Sequence, residues 1–343
     1  MLILSRFSVK FVLQYSTDVE NIFYLCGVIA TSNGHYHIMD RKRFLQICGM
    51  LVPLGMLGRP EWLCAASAKK EKKERKHGFT FAFLTDVHLK PRNEGNCDEG
   101  LRKALDDVRN RNVDFILFGG DNVEANFHLG AGHEHEVVDM YTRFRKAVDE
   151  SGIPAYFTIG NHDTFDRFEG EEDKIGYGYF RKFCGPVRQS FDHKGIHFVT
   201  LNSLVPDSKG RWSVGEEQRE WLKNDLDAAG KDTPVIIAMH VPMLSLYYPV
   251  VDGIFSGADM VTDSKKVFDL LKQYNVRLVL QGHQHIHEEI QERGRWFVTG
   301  GGICASWWTG PLADTEEGYL LVHVGDDGDI SWEYIDYGWT AVL

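Results

Sequence analysis

The sequence predicts an α/β fold in which parallel strands come first and antiparallel hairpins last. Three observations carry this. Short apolar runs rich in β-branched and aromatic residues alternate with longer segments of helical spacing. The chain closes with two strand-like runs, Gly318–Val324 and Ile330–Tyr337, around the turn sequence Gly325-Asp326-Asp327-Gly328-Asp329. Five of the internal apolar runs are followed by aspartate, asparagine or histidine.

Phe79–Leu84 is the first strand, apolar and β-rich. Glu99–Arg111 follows as a helix, with Leu101, Leu105 and Val108 on one face. Val113–Phe118 is a second buried strand, Glu134–Glu150 a helix and Pro154–Ile159 a third strand. Ser190–Asn202 reads as a hairpin turning at His193-Lys194-Gly195. Gly215–Ala229 is a helix that sets Trp221, Leu222 and Leu226 on one side. Pro234–Met239 is a strand, Ser264–Tyr274 a helix and Val276–Gln281 a strand. No internal repeat is visible.

The residues after the strands are the chemistry-bearing ones. They are Asp86-Val87-His88, Gly119-Gly120-Asp121-Asn122, Gly160-Asn161-His162-Asp163, His240-Val241-Pro242 and Gly282-His283-Gln284-His285. In open α/β sheets, sites form beyond the carboxyl ends of strands. Carboxylate, amide oxygen and imidazole suit Mn, Fe or Zn far better than a soft, thiolate-loving metal. Each motif alone is an ordinary turn, and a lone His240 would be a satisfied core histidine. All five in this order at strand ends are hard to obtain by chance.

With these motifs the chain resembles the calcineurin-like metallophosphoesterase superfamily over roughly Phe79 to Val324. The resemblance implies a four-layer α/β/β/α sandwich with two divalent or trivalent metal ions (Mn, Fe or Zn). It implies that Asp86, His88, Asp121 and His285 hold one ion. Asp121, Asn161, His240 and His283 would hold the other, with Asp121 bridging. The implied chemistry is phosphoester hydrolysis, a metal-bridging hydroxide attacking phosphorus in line. His162 would protonate or support the leaving oxygen, or else only orient phosphate. The resemblance has Asp163 orienting His162. His287 continues the alternation, either behind a ligand or in solvent.

Departures narrow the family. Purple acid phosphatases carry Asp-x-Gly in the first motif and a tyrosine where this chain has Glu124, so a tyrosinate–iron colour is not expected. The arginine-rich second motif of phosphoprotein phosphatases is absent from Gly120-Asp121-Asn122-Val123-Glu124. Gly215–Leu222, ahead of the His240 strand, looks like the bacterial branch that includes cyclic-nucleotide phosphodiesterases. His128, His133 and His135 form a rim or a mobile polar loop. Tyr247, Tyr248, Trp307 and Trp308 stack on a substrate or belong to the core.

The expected substrate is therefore a diester or a small phosphomonoester. A nucleotide or nucleotide-sugar pyrophosphatase would use the same site. A non-catalytic binding scaffold would be expected to lose ligands, and all seven positions are filled. Lys+Arg is 38 against Asp+Glu 49, a net charge of -11, so no nucleic-acid partner is expected.

Residues 1–68 differ from the rest. Arg41-Lys42-Arg43, the apolar run Phe44–Leu57 and Ala66-Ser67-Ala68 have the order of a secretory signal. Met39 is the expected start, residues 1–38 an upstream extension and 69–78 a charged linker before the domain at 79–343. The expectation is export to the periplasm, with no stable membrane association after signal removal. The bland alternative is an amphipathic helix on a cytoplasmic protein. Six cysteines are too few for a disulfide scaffold.

Overall fold

The computed structural model describes residues 28–30, 36–38, 78–126, 132–251, 253 and 259–342. The leader and linker expected at 1–78, with Met39, and His128 lie outside the described residues, apart from Gly78 and two short strands. The chain divides into two compact units, Met1–Lys73 and Glu74–Leu343. In the first, β1 (Val28–Ala30) and β2 (Tyr36–Ile38) pair antiparallel. Among the described residues no helix is long and apolar enough to cross a membrane.

The second unit is a four-layer α/β/β/α sandwich, as the resemblance implied. Its first half runs β3 (Phe79–Leu84), α1 (Cys97–Asn110), β4 (Phe115–Phe118), α2 (Glu134–Ser151), β5 (Ala155–Phe157) and α3 (Gly178–Phe183). Its second half runs β6 (Gln189–His193), β7 (Ile196–Leu201), α4 (Glu216–Ala229), β8 (Val235–Met239), α5 (Ser264–Leu271) and β9 (Val276–Gln281). Two hairpins close it: β10 (Glu288–Glu292) with β11 (Arg295–Thr299), and β12 (Gly318–Val324) with β13 (Ile330–Asp336).

One sheet has the order β13-β12-β3-β4-β5, the other β10-β11-β9-β8-β7-β6. The pairs β3/β4, β4/β5, β7/β8, β8/β9 and β9/β11 are parallel, while β12 runs antiparallel to both β3 and β13, and β6/β7 and β10/β11 are antiparallel. Because strand side chains alternate faces, each sheet has an inner and an outer set. Phe81, Phe83, Phe115 and Leu117 of one sheet meet Phe198, Ile236, Leu278 and Leu280 of the other in the inner core. Phe81 and Phe115 stack at 5.0 Å, and Phe198 meets both edge-on at 5.4 and 5.2 Å. Such aromatic pairs contribute about 0.5–1.5 kcal/mol each beyond area burial. The outer set, including Ala82, Leu84, Ile116, Phe118, Ile237 and Val279, joins a core with helix residues Leu101, Leu105, Phe144, Leu222 and Leu271.

Register positions the site. Leu84 pairs with Phe118 and Phe118 with Phe157, while Met239 pairs with Leu201 and Gln281. The parallel strands of each sheet thus end level, and their next residues form one rim. The rim is locked by backbone bonds, Gly119 N to Leu84 O at 2.7 Å, Asp86 N to Gly120 O at 3.0 Å and Gly282 N to His240 O at 3.0 Å. Ile303 N to Thr85 O, at 2.9 Å, ties the loop after β11 to the end of β3.

Several boundaries shift from the sequence expectation. The helix expected to Tyr274 ends at Leu271, and the third strand shrinks to Ala155–Phe157. The hairpin at 288–299 was not expected, because its edge strand Glu-Glu-Ile-Gln-Glu reads as solvated chain. Cys97, Cys184 and Cys304 are buried and free.

Candidate metal centre

Five strand ends deliver the site. Asp86 and His88 follow β3, Asp121 follows β4, and Asn161 and His162 occupy a 3-10 turn after β5. His240 follows β8, and His283 and His285 follow β9. The donors thus come from both sheets.

The seven residues expected as ligands lie together. His88 Nε2 is 3.0 Å from His285 Nε2, 3.4 Å from Asp121 Oδ2 and 3.8 Å from Asp86 Oδ1. His285 Nε2 is 3.4 Å from Asp86 Oδ1. On the other side, His240 Nε2 is 3.1 Å from both Asp121 Oδ2 and Asn161 Oδ1. Asp121, His240 and His283 each bring a donor atom within 4.8 Å of the others. Asp121 therefore belongs to two donor groups at once.

The backbone at this rim is unusual. Asp86 (φ 54), His88 (φ 45), Asp121 (φ 51), His283 (φ 73) and His285 (φ 58) all adopt the left-handed region. Non-glycine residues seldom do so, and each instance costs of order 1–3 kcal/mol. The conformation is held by the fold: both oxygens of Asp86 accept from His283 N at 3.0 Å, and Asp121 Oδ1 accepts from His162 N at 2.7 Å. Gly160 permits the close approach, since a Cβ there would sit 2.1 Å from Asp121 N.

The far nitrogens of the imidazoles are also held. Nδ1 of His88 lies 2.5 Å from Glu124 Oε1, Nδ1 of His240 3.0 Å from Gly119 O, and Nδ1 of His285 2.5 Å from Ala305 O. Each acceptor fixes a proton on Nδ1 and turns an Nε2 lone pair inward. Two inward lone pairs 3.0 Å apart, on His88 and His285, repel unless a proton or a cation lies between them. Buried carboxylates beside them complete an oxygen–nitrogen donor set suited to Mn, Fe or Zn. The residues present thus fit metal ions.

Electrostatics points the same way. Burial opposes charge on Asp86, but His285 and His88 hold its pKa at about 2. Burial likewise opposes charge on Asp121, and His240 and His162 outweigh it, holding that carboxyl well below the usual range. His240 is raised to about 9, its burial overcome by Asp121. His283 is pushed down to about 4 by burial and by His240. The protein has gathered more negative charge than its own neutral imidazoles can offset, so it holds protons where cations would serve.

His162 stands at the opening. Its side chain is 19% exposed, whereas those of Asp86, His88 and His240 are fully buried. Burial opposes its protonation, but Asp121 and Glu124 raise its pKa. The carboxylate on its Nδ1 is Glu124, at 3.0 Å. This corrects the expectation for Asp163. Asp163 is buried, and its two oxygens accept from the backbone of Asn122, Val123 and Gly160 and from Asn122 Nδ2, at 2.8–3.2 Å. It anchors the loop after β4 to the turn after β5, where a fully buried carboxylate needs several N–H donors.

Glu124 is the residue that sequence reading missed. It was noted only as the occupant of a tyrosine position, and its partners lie 36 and 38 residues away. Cys304 was also unforeseen. Its Sγ is 3.8 Å from Nδ1 of His285, behind the imidazole, and burial keeps it a thiol. His287 turns to Thr299 O and Glu289 and stacks on Tyr334. Trp308 is buried, with Nε1 donating to His88 O at 3.1 Å, while Trp307 is 39% exposed. Tyr247 and Tyr248 pack edge to face, and His133 pairs with Glu136.

A sandwich of this topology with such a donor cluster at its rim defines a metal-dependent phosphoesterase fold. The calcineurin-like phosphoesterase family model matches residues 79–287, and the chain belongs to that family. The chain is 24% identical over 213 residues to a probable cyclic nucleotide phosphodiesterase of Rhodococcus erythropolis, a match covering 59% of this chain and 63% of that protein. It is 26% identical over 270 residues to a probable cyclic nucleotide phosphodiesterase of Synechococcus, covering 74% of this chain and 90% of that one. Among solved structures it is similar to a dimetal phosphatase from Danio rerio, with a TM-score of 0.53, 15% identity, and 76% of this chain and 99% of that chain covered.

Proposed function

We propose that the chain is a dinuclear-metal-dependent hydrolase of a phosphodiester or small phosphomonoester. The observation that carries this is Asp121 shared between two donor groups at the rim. One comprises Asp86, His88, Asp121 and His285; the other comprises Asp121, Asn161, His240 and His283. The names of the two bacterial relatives support a phosphoester substrate. Mn, Fe or Zn would each suit the donors.

Ions held there would neutralise phosphoryl oxygens and make a nucleophile available from water near neutral pH. The chain's own residues do the rest. His162, whose pKa Asp121 and Glu124 raise against its burial, gives a proton to the leaving oxygen. Glu124 keeps that imidazole turned toward the opening. Asp163 holds the two loops that carry Asp121 and Asn161 at fixed spacing. The acidic balance makes nucleic acid an unfavourable partner. Export to the periplasm belongs to the same proposal, supported by the basic–apolar–small order of residues 41–68. Amino-terminal sequencing of the mature protein tests it.

The test of activity is turnover of bis-p-nitrophenyl phosphate and p-nitrophenyl phosphate by the full chain with Mn²⁺, against Asp121→Ala. The expected result is hydrolysis that vanishes in the variant. Equal rates in both proteins, or none in either with metal verified as bound, would overturn the reading.

A further inference from the structure

Beside the donor cluster lies a cavity of about 630 Å³, lined among others by Lys90, Arg92, Glu124, His133, Glu136 and Trp307. It lies within the size range of small-molecule sites. Two of its walls are parts of the site already described. Glu124 holds His88 and His162, and the Trp307 ring stacks on the His285 imidazole at 4.4 Å with 30° between planes. The same ring lies 5.8 Å from that of His88. A phosphoester seated on the donors would have its substituent beside Trp307.

Most of the cavity's charged groups already have partners. Lys90 Nζ donates to Trp307 O at 3.0 Å, and Arg92 pairs with Glu136 at 2.9 Å. His133 also pairs with Glu136, and Glu124 is occupied by two imidazoles. Three glutamates, Glu94 among them, face two permanent cations. Among the described residues that wall therefore carries no net positive charge to draw a second phosphate. What it offers is the face of an indole.

The placement of that indole is deliberate in physical terms. Trp307 and Trp308 both adopt positive φ, 49° and 71°, which bulky residues avoid. The turn is held by Trp307 N to Ala305 O at 3.0 Å, Trp308 N to Cys304 O at 2.7 Å and the Lys90 bond. One tryptophan is thereby buried as an anchor and its neighbour is left 39% exposed against a metal-ligand candidate. Strain that presents an apolar ring to solvent is a mark of a binding element.

We propose that this cavity receives a planar, uncharged group of the substrate, stacked on Trp307. The proposal rests on the phosphoesterase reading and narrows it, toward aryl or nucleoside esters of a single phosphate and away from pyrophosphates.

Calorimetric titration of the Mn²⁺-loaded full chain with phenylphosphonate and with methylphosphonate, whose P–C bonds a phosphoesterase does not cleave, tests it without turnover. Phenylphosphonate should bind the native chain about ten-fold more tightly than methylphosphonate, Trp307→Ala should lose that factor, and methylphosphonate should change less than about two-fold, as stacking on an aromatic implies. Trp307→Phe should retain most of the preference. Equal affinities in the native chain, or a preference intact in Trp307→Ala, overturn the proposal. So does equal loss of both ligands in Trp307→Ala and Trp307→Phe, which would mark a damaged metal site. Preferential binding without hydrolysis of any ester would count against the activity and leave the cavity assignment standing.

Discussion

Glu124 Oε2 lies 3.0 Å from Nδ1 of His162, while Oε1 of the same carboxylate lies 2.5 Å from Nδ1 of His88. One buried side chain therefore sets the tautomer of a candidate ligand and of the candidate proton donor. A carboxylate accepts from both rings; an amide accepts from one and must donate to the other. Glu124→Gln should lower Mn²⁺ affinity about 10–100-fold, by the usual weight of such outer partners. Equilibrium dialysis measures this, and an unchanged affinity would remove Glu124 from the metal site.

Asp121 and His162 should separate cleanly. Asp121→Ala should abolish turnover and empty both donor groups, because one carboxylate serves the two. His162→Ala should keep its metal and lose about 10²–10⁴-fold in rate, less for esters with good leaving groups such as p-nitrophenol. Metal content by elemental analysis, read beside kcat, distinguishes them. Loss of metal in His162→Ala would make it a ligand.

Gly160→Ala tests the spacing of the rim. The added Cβ would lie 2.1 Å from Asp121 N and 2.2 Å from its Oδ1, so backbone must move. The expected cost is about 1–3 kcal/mol in stability, as for other overpacked positions, with impaired metal retention. A variant with native Tm and native metal content would refute this.

The adjacent tryptophans should differ in stability effect. Trp308 is 1% exposed and its indole N–H holds the His88 carbonyl. Trp308→Ala should cost about 3–5 kcal/mol, the range of large-to-small core changes. Trp307→Ala should leave chemical denaturation nearly unchanged. Denaturation midpoints of the two variants decide it.

His197 supplies a pH signature away from the metal centre. It lies between Asp192 at 2.7 Å and Asp225 at 2.9 Å. Burial opposes its charge, but the hydrogen bonds to Asp225 and Asp192 raise its pKa above the ordinary 6.5. A raised histidine stabilises the fold fully below 6.5 and loses that contribution as pH climbs through the folded value. The stability gap between the native chain and His197→Asn should therefore be widest in mild acid and shrink in alkali. A gap that grew with pH would reverse the assignment.

Much of this molecule was legible in its sequence because the signal was local. Asp86, Asp121, Asn161, His240 and His283 each follow an apolar run within a few residues, and parallel sheets place sites at those ends. Glu124 gave no such signal, since its importance arises from contacts with His88 and His162 that only the folded chain creates. Asp163 was misread for the converse reason: adjacency to His162 in sequence suggested a partnership, yet the turn directs its carboxylate to the backbone of Asn122 and Gly160. The edge hairpin at 288–299 hid because its exposed strand is coded by charge rather than by alternation.

Five of the seven candidate ligands sit in left-handed backbone, a conformation in which glycine would rest without strain. Glycine has no side chain to offer an ion. A lineage selected for heat resistance alone would drift toward glycine at Asp86, His88, Asp121, His283 and His285, and each step toward durability would remove a donor. Robustness and usefulness are thus opposed at the same five positions, and what keeps this chain short of its most durable form is the work done at its rim.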